Sequence, residues 1–156
     1  MARVRRASVT ITDERGEPLR VSGAIGTGLL VLLGVHRDDI AGEGGDGTAA
    51  TTAARVEAMA RKLHELRILR DERSCADTGA PLLVVSQFTL HGDTRKGRRP
   101  SWSAAARPEE AARVVDAVVT ALRDRGATVE TGEFGASMAV ESVNDGPFTV
   151  LVEVPG

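Results

Sequence analysis

Two short segments put polar side chains where the surrounding pattern calls for apolar ones. Leu82-Leu83-Val84-Val85 reads as a buried strand, yet it runs straight into Ser86-Gln87-Phe88-Thr89. Buried hydroxyls and amides must find partners. The segment is therefore either a strand emerging into solvent with its hydroxyls bonded to backbone, or a strand end that offers a hydroxyl, an amide and backbone N–H groups to a reacting ester. The second segment is Asn144-Asp145-Gly146-Pro147, which by residue type is a turn between two strands. A third feature, Arg95, Lys96, Arg98 and Arg99, gathers four positive charges within five positions. Such a cluster suits nucleic-acid phosphates or a solvated loop.

Other chemistries lack the residues they need. Gly92-Asp93-Thr94-Arg95-Lys96-Gly97 has the glycine spacing of a phosphate loop, but Arg98-Arg99 follows where Lys and then Ser or Thr must sit. His64-Glu65 opens a zinc-protease helix motif without its second histidine, and His36, His64 and His91 are too scattered to form a metal signature. A Gly-x-Ser-x-Gly elbow is absent, so a hydrolase triad has no support. Cys75 is the only cysteine and lies in a polar stretch with no histidine nearby. Neither a metal nor a cofactor is predicted.

The elements that must carry these segments follow from hydrophobic periodicity. Residues 3–12 alternate, with Ala7, Val9 and Ile11 on one face, as a half-buried strand does. Leu19 and Val21 mark a second strand. Gly26-Thr27-Gly28 is a turn, and Leu29-Leu30-Val31-Leu32-Leu33 is apolar on both faces and therefore central. Residues 41–50, with four glycines, read as a mobile surface loop without a role in any site. From about Thr51 to Leu69, Val56, Met59, Ala60, Leu63 and Leu66 recur at the spacing of an amphipathic helix. A second helix opens at Pro108 and closes at Arg123, Arg125 and Gly126. Strands are expected at 81–90, 127–131, 137–143 and, after the Asp145-Gly146 turn, 147–154. This order implies an α/β chain with mixed, largely antiparallel sheets and two main helices packed on them.

Length and composition bound the function. At 156 residues, 42% of them hydrophobic and 27% charged, the chain reads as one globular domain spanning 1–156. A net charge of −2 gives no global pull toward nucleic acid or an anionic membrane, so any RNA contact must be local and DNA is not expected. There is no Tyr, which disfavours a sheet of base-stacking rings. No secretion signal or membrane helix is legible, and a lone cysteine suits a reducing cytoplasm.

Taken together, the blocks resemble the D-aminoacyl-tRNA deacylases, which strip D-amino acids from tRNA. The likeness runs over nearly the whole chain. It is carried by Arg6-Ala7-Ser8-Val9, by Gly28 through Val35, by Leu83 through Leu90, by Asp93 through Ser101, by Thr131-Gly132 with Phe134-Gly135-Ala136, and by Val143-Asn144-Asp145-Gly146-Pro147. The resemblance implies a deacylase-type fold and a homodimer acting on the acceptor end of aminoacylated tRNA. Ser86, Gln87, Phe88 and Thr89 would line the catalytic pocket. Gly146 and Pro147, joined by a cis peptide bond, would reach into the partner subunit's pocket, with Arg3 and Asn144 supporting that loop. The terminal 2′-hydroxyl of the tRNA would assist the attacking water, and Arg95, Lys96, Arg98 and Arg99 would meet its phosphates.

Rejecting every L-amino acid while accepting many D side chains requires reading the alpha carbon rather than fitting one side chain. A rigid element placed where an L substituent points does this by exclusion. Glycine, with no side chain on either face, would slip through, so mischarged glycyl-tRNA is a second expected substrate. Two other readings are a relative acting chiefly on glycyl-tRNA and a catalytically silent binder of tRNA ends. The chain departs from the family in a shorter first strand, in a glycine-rich stretch at 42–47, and at Asp71 through Ala80, which replace the usual Gly-Lys-Met-Asn-x-Ser hairpin.

Overall fold

A computed structural model describes residues 1–42, 45–46 and 49–154. In chain order the strands are β1 (Ala2–Thr12), β2 (Pro18–Ile25), β3 (Gly28–Leu33), β4 (Ala41–Gly42), β5 (Gly45–Asp46), β6 (Leu82–Ser86), β7 (Val129–Thr131) and β8 (Met138–Thr149). The helices are α1 (Ala49–Glu65), α2 (Cys75–Thr78) and α3 (Pro108–Asp124), and single 3₁₀ turns occur at Arg37–Asp39, Arg70–Glu72 and Phe88–His91.

β1 is the hub of the main sheet. One edge pairs antiparallel with β2 and, at Ala2–Val4, with β3, while the other edge takes β8 along most of its length. β3 then pairs in parallel with β6, and β6 with β7, giving the order β2-β1-β3-β6-β7. Parallel neighbours need long crossovers, and α1 and α3 lie within the two that are required. The sheet curls until β2 meets β7, where the Ser22 hydroxyl donates to the Thr131 carbonyl at 3.1 Å. A Cβ at Gly23 would fall 2.6 Å from that same carbonyl oxygen, so this approach requires glycine.

The curl divides the core. Val4, Ala7, Val9, Ile25, Leu30, Leu83 and Val85 fill the inside of the partial barrel. Leu29, Val31 and Leu33 point the other way, against Ala60 and Leu63 of α1 and Val118 and Leu122 of α3. β3 thus buries both faces, as its continuous apolar run predicts, except at Leu32, which is exposed. Among the described residues no helix is long and apolar enough to cross a membrane.

Four expected elements differ, the first being the helix expected to run to Leu69, which ends at Glu65. The strand predicted to reach residue 90 ends at Ser86, and Phe88–His91 turn as 3₁₀. The predicted turn and new strand at 147–154 are instead one strand, β8, ending at Thr149. Within 41–50, β4 pairs antiparallel with β5 and α1 begins at Ala49, so the expected loop is partly built; residues 43, 44, 47 and 48 lie outside the described ones.

Candidate active site

The parallel pairing of β3 with β6 runs from Leu29↔Leu82 to Leu33↔Ser86. Its last rung is the Gln87 N–H donating to the Leu33 carbonyl at 2.8 Å. Beyond it the partner strand ends, and the chain turns. Phe88 and Thr89 occupy the first turn of the 3₁₀ segment, where N–H groups have no partner within the turn itself. The Gln87 side-chain amide donates to the Thr89 hydroxyl and fixes one polar group on the other.

Next to this strand end is a cavity of about 530 Å³. Ser86, Gln87 and Phe88 line it together with Trp102, with Ala105, Ala106, Pro108, Ala111 and Val115 at the entry to α3, and with Phe134, Gly135, Ala136, Met138 and Val140. Among the described residues none of its lining side chains is titratable. The polar groups it presents are a hydroxyl, an amide and backbone. Thr89 is exposed beside the cavity rather than in its lining, held by Gln87.

Gly146, Pro147, Arg3 and Asn144 form a second cluster at the far end of β8. There the pairing jumps from Val4↔Asn144 to Ala2↔Thr149, so residues 145–148 bulge out of the ladder. Asn144 closes the base of the bulge: its amide donates to the Thr149 hydroxyl at 2.9 Å and its carbonyl oxygen accepts from the Phe148 N–H at 3.2 Å. Arg3 Nε donates to the Asp145 carbonyl at 2.9 Å, Nη1 donates to the Ile68 carbonyl at 3.2 Å, and the guanidinium sits 5.0 Å from the centre of the Phe148 ring. Gly146 has φ +103°, so the backbone calls for glycine, and a Cβ there would lie 2.5 Å from Arg3 Nη2, so that guanidinium would have to shift. The cis bond implied at Gly146–Pro147 is absent: among the described residues every peptide bond is trans. The positive φ of Gly146 makes the reversal instead.

Residue types did not reveal the anchor of this bulge. Asp145 is buried and receives bidentate hydrogen bonds from Arg70 at 2.7 and 3.0 Å, with Arg5 at 3.4 Å and Arg3 at 3.5 Å. The Arg70 hydrogen bonds, aided by Arg5 and the field of Arg3, hold the Asp145 carboxyl below the ordinary carboxylate range despite desolvation. Arg70 leads into the segment that departs from the family, and Asp71 and Glu72 adopt φ +58° and +52° to turn it. An acid between Asn144 and Gly146 is the signal the sequence offers, and the same residue type serves in ordinary turns.

The basic loop forms a third group. Asp93 and Ser101 exchange both backbone hydrogen bonds, at 2.8 and 2.9 Å, and close residues 94–100 into a loop. Arg95 is committed to Asp93 through contacts at 2.9 and 2.7 Å, and these hold the Asp93 carboxyl down to about 2. Lys96, Arg98 and Arg99 are exposed and pair with no described residue. Cys75 is buried, and burial pushes its thiol up to about 12, which makes it inert. The structure therefore brings Ser86, Gln87, Phe88 and Thr89 together, while Gly146 and Pro147 are not among the residues lining that cavity.

The family model described as D-Tyr-tRNA(Tyr) deacylase matches residues 1–153. A D-aminoacyl-tRNA deacylase of Kineococcus radiotolerans is 56% identical over 152 residues, covering 97% of this chain and 95% of that protein. One of Streptomyces coelicolor is 54% identical over 153 residues, covering 97% and 96%. Among solved structures, a c-Myc DNA unwinding element binding protein superposes with a TM-score of 0.79 at 35% identity, covering 99% of this chain and 97% of that one. A probable eukaryotic D-amino acid tRNA deacylase, at TM-score 0.75, 16% identity and coverage of 94% and 92%, shares the fold.

Proposed function

The chain belongs to the D-Tyr-tRNA(Tyr) deacylase family, and from that premise we propose how its residues perform the family's reaction. It is a D-aminoacyl-tRNA deacylase, an ester hydrolase of translation quality control. The observation that carries the mechanism is the cavity beside β6, which has a polar strand end and no titratable lining side chain. Without a protein base there, catalysis relies on positioning and on charge stabilisation.

Water adds to the ester carbonyl carbon, and the N–H groups of Phe88 and Thr89 donate to the oxyanion that forms. The vicinal 2′-hydroxyl of the terminal ribose orients the water. As the C–O bond breaks, the proton lost by the water passes to the departing ribose oxygen, leaving free tRNA and the D-amino acid. Ser86 and Gln87 orient the ester, and Gln87 holds the Thr89 hydroxyl in place. Thr89 acts as a positioning residue, its hydroxyl held by the Gln87 amide, which is a donor and not a base.

Chirality is read by Gly146 and Pro147 of a partner subunit. Their absence from the cavity lining of their own chain, together with the anchored, exposed bulge they occupy, supports a homodimer in which each subunit completes the other's pocket. The loop occupies the space an L substituent needs, and its carbonyls accept from the substrate ammonium. Glycyl-tRNA passes the same filter. Lys96, Arg98 and Arg99 meet acceptor-end phosphates, with Arg95 shaping their loop. The enzyme works in the cytoplasm, where charged tRNA is made and its single thiol stays reduced. A silent binder of tRNA ends is not favoured, because the relatives are named for the deacylation.

The test is release of D-tyrosine and L-tyrosine from their charged tRNAs by the wild type and by Pro147→Ala, with the glycyl ester alongside. The wild type should cleave the D and glycyl esters and spare the L ester. Pro147→Ala should lose activity or discrimination. A wild type that cleaves none of them above background overturns the reading.

A further inference from the structure

The chain has four aromatic side chains, three Phe and one Trp, and none is in the core. Phe88 is 56% exposed, Trp102 and Phe134 each 41%, and Phe148 39%. Burying such rings is among the largest gains available to a small fold, so leaving all of them at the surface calls for another use. Three of the four, Phe88, Trp102 and Phe134, line the one cavity beside β6.

Trp102 is the ring whose placement the functional reading does not use. It meets Phe88 edge to face, with centroids 5.4 Å apart and planes at 76°. Its ring lies against Gly92, where a Cβ would fall 2.6 Å from Cζ3, so the backbone beneath is cleared for it. The Asp93–Ser101 pairing sets Trp102 directly after the closed loop that carries Lys96, Arg98 and Arg99. An exposed ring fixed next to unpaired cations is how single-stranded nucleic acid is held: a base stacks on the ring while its phosphates meet the charges.

We propose that Trp102, braced by Phe88, is the stacking surface for the nucleobase just upstream of the terminal adenosine, with Lys96, Arg98 and Arg99 neutralising the adjoining phosphates. This rests on the reading that Ser86, Gln87 and Phe88 hold the ester. The terminal nucleoside is then in the cavity, and the strand leading away from it passes Trp102 toward the basic loop. Stacking tolerates any base, and every tRNA ends in the same unpaired CCA, so the contact adds affinity without selecting one tRNA.

Because the chain has one Trp and no Tyr, its intrinsic fluorescence reports Trp102 alone. Titrating the full chain with the uncharged trinucleotide CCA should quench it, and the quenching should weaken as salt rises, whereas adenosine alone should have little effect. In kinetics, Trp102→Ala should raise KM for D-tyrosyl-tRNA by about tenfold to a hundredfold, the span expected for one stacked base. That loss should be at least several times larger than the loss on D-tyrosyl-adenosine, and Trp102→Phe should recover most of it. Neutralising Lys96, Arg98 and Arg99 together should lower the log–log salt dependence of tRNA binding by about 2. Equal losses on the two esters would mean that Trp102 only shapes the cavity, and an unquenched wild type would likewise overturn the proposal. Quenching by CCA with no ester cleaved would support the stacking surface and defeat the deacylase reading instead.

Discussion

At the scale of single residues, the bulge at 145–148 is held by charge rather than by packing. Asp145 is the one buried carboxylate of the described residues, and it faces three arginines from two parts of the chain: Arg3 and Arg5 from β1, and Arg70 from the turn before α2. Arg70 alone makes the bidentate contact, so it does most to orient the carboxylate and hence the Gly146-Pro147 backbone next to it. Removing it leaves Arg3 and Arg5 to compensate the charge but frees the loop to shift. Arg70→Ala should therefore fold, yet lower kcat/KM for D-tyrosyl-tRNA by roughly tenfold to a hundredfold, the sensitivity expected of a misplaced positioning group. Cleavage of the L ester relative to the D ester should rise with it. Arg70→Lys should recover only part, since an ammonium cannot reproduce the planar two-point contact. Steady-state rates on both esters check this, and an unchanged D-to-L ratio in Arg70→Ala would show that the turn plays no part in chirality.

At the scale of elements, the approach of β3 to β6 determines where Ser86 and Gln87 end up. Their strands enter side by side at Gly28, where a Cβ would lie 2.2 Å from the Pro81 carbonyl oxygen. That oxygen is backbone and already accepts from the Leu29 N–H at 3.0 Å, so it cannot move aside. Gly28→Ala should force the strands apart and destabilise the fold by about 2–3 kcal/mol, the upper part of the range for overpacking. Gly16→Ala, at a turn with φ +84° and nothing within 4 Å, should lose only about 1 kcal/mol to backbone strain. Urea unfolding of the two variants separates these effects, and equal losses would mean the contact at Gly28 is soft.

The same elements show what periodicity can and cannot predict. The apolar run of Leu29–Leu33 and the stripe from Val56 to Leu63 placed β3 and α1, because burial on two faces or on one leaves a local pattern. The two strand ends that differ have a common cause. Residues 87–90 keep strand-like side chains, but β3 ends at Leu33 and offers no further rung. Residues 150–154 alternate as a strand would, but the register of β8 with β1 ends at Ala2↔Thr149, followed only by the pair of hydrogen bonds that Val150 and Met1 exchange at 2.9 and 2.7 Å. A strand ends where its neighbour ends, and the neighbour is not written in the segment itself. The grip of Arg70 on Asp145 spans 75 positions and was equally invisible locally. The polar segment at 86–89 was legible because it broke a local rule.

At the scale of the whole molecule, the division of the proposed site makes a quantitative claim. The cavity lining includes Ser86 and Gln87 but neither Gly146 nor Pro147, and in a two-fold dimer each pocket would draw its floor from one chain and its chiral filter from the other. Gln87→Ala damages the floor, and Pro147→Ala damages the filter. Homodimers of either variant then have two defective pockets. In a heterodimer, the chain carrying Pro147→Ala keeps an intact floor and receives an intact loop from its partner, so one pocket of two is native, while the other carries both defects. Random reassociation of equal amounts makes half of the dimers heterodimers, so discriminating activity should return to about a quarter of wild type, as two-fold symmetry requires. The measurement is D-tyrosine release after the two variants are unfolded together and refolded, set against each variant refolded alone. A loop that acted within its own chain would give no recovery, because every pocket would then contain one of the two defects.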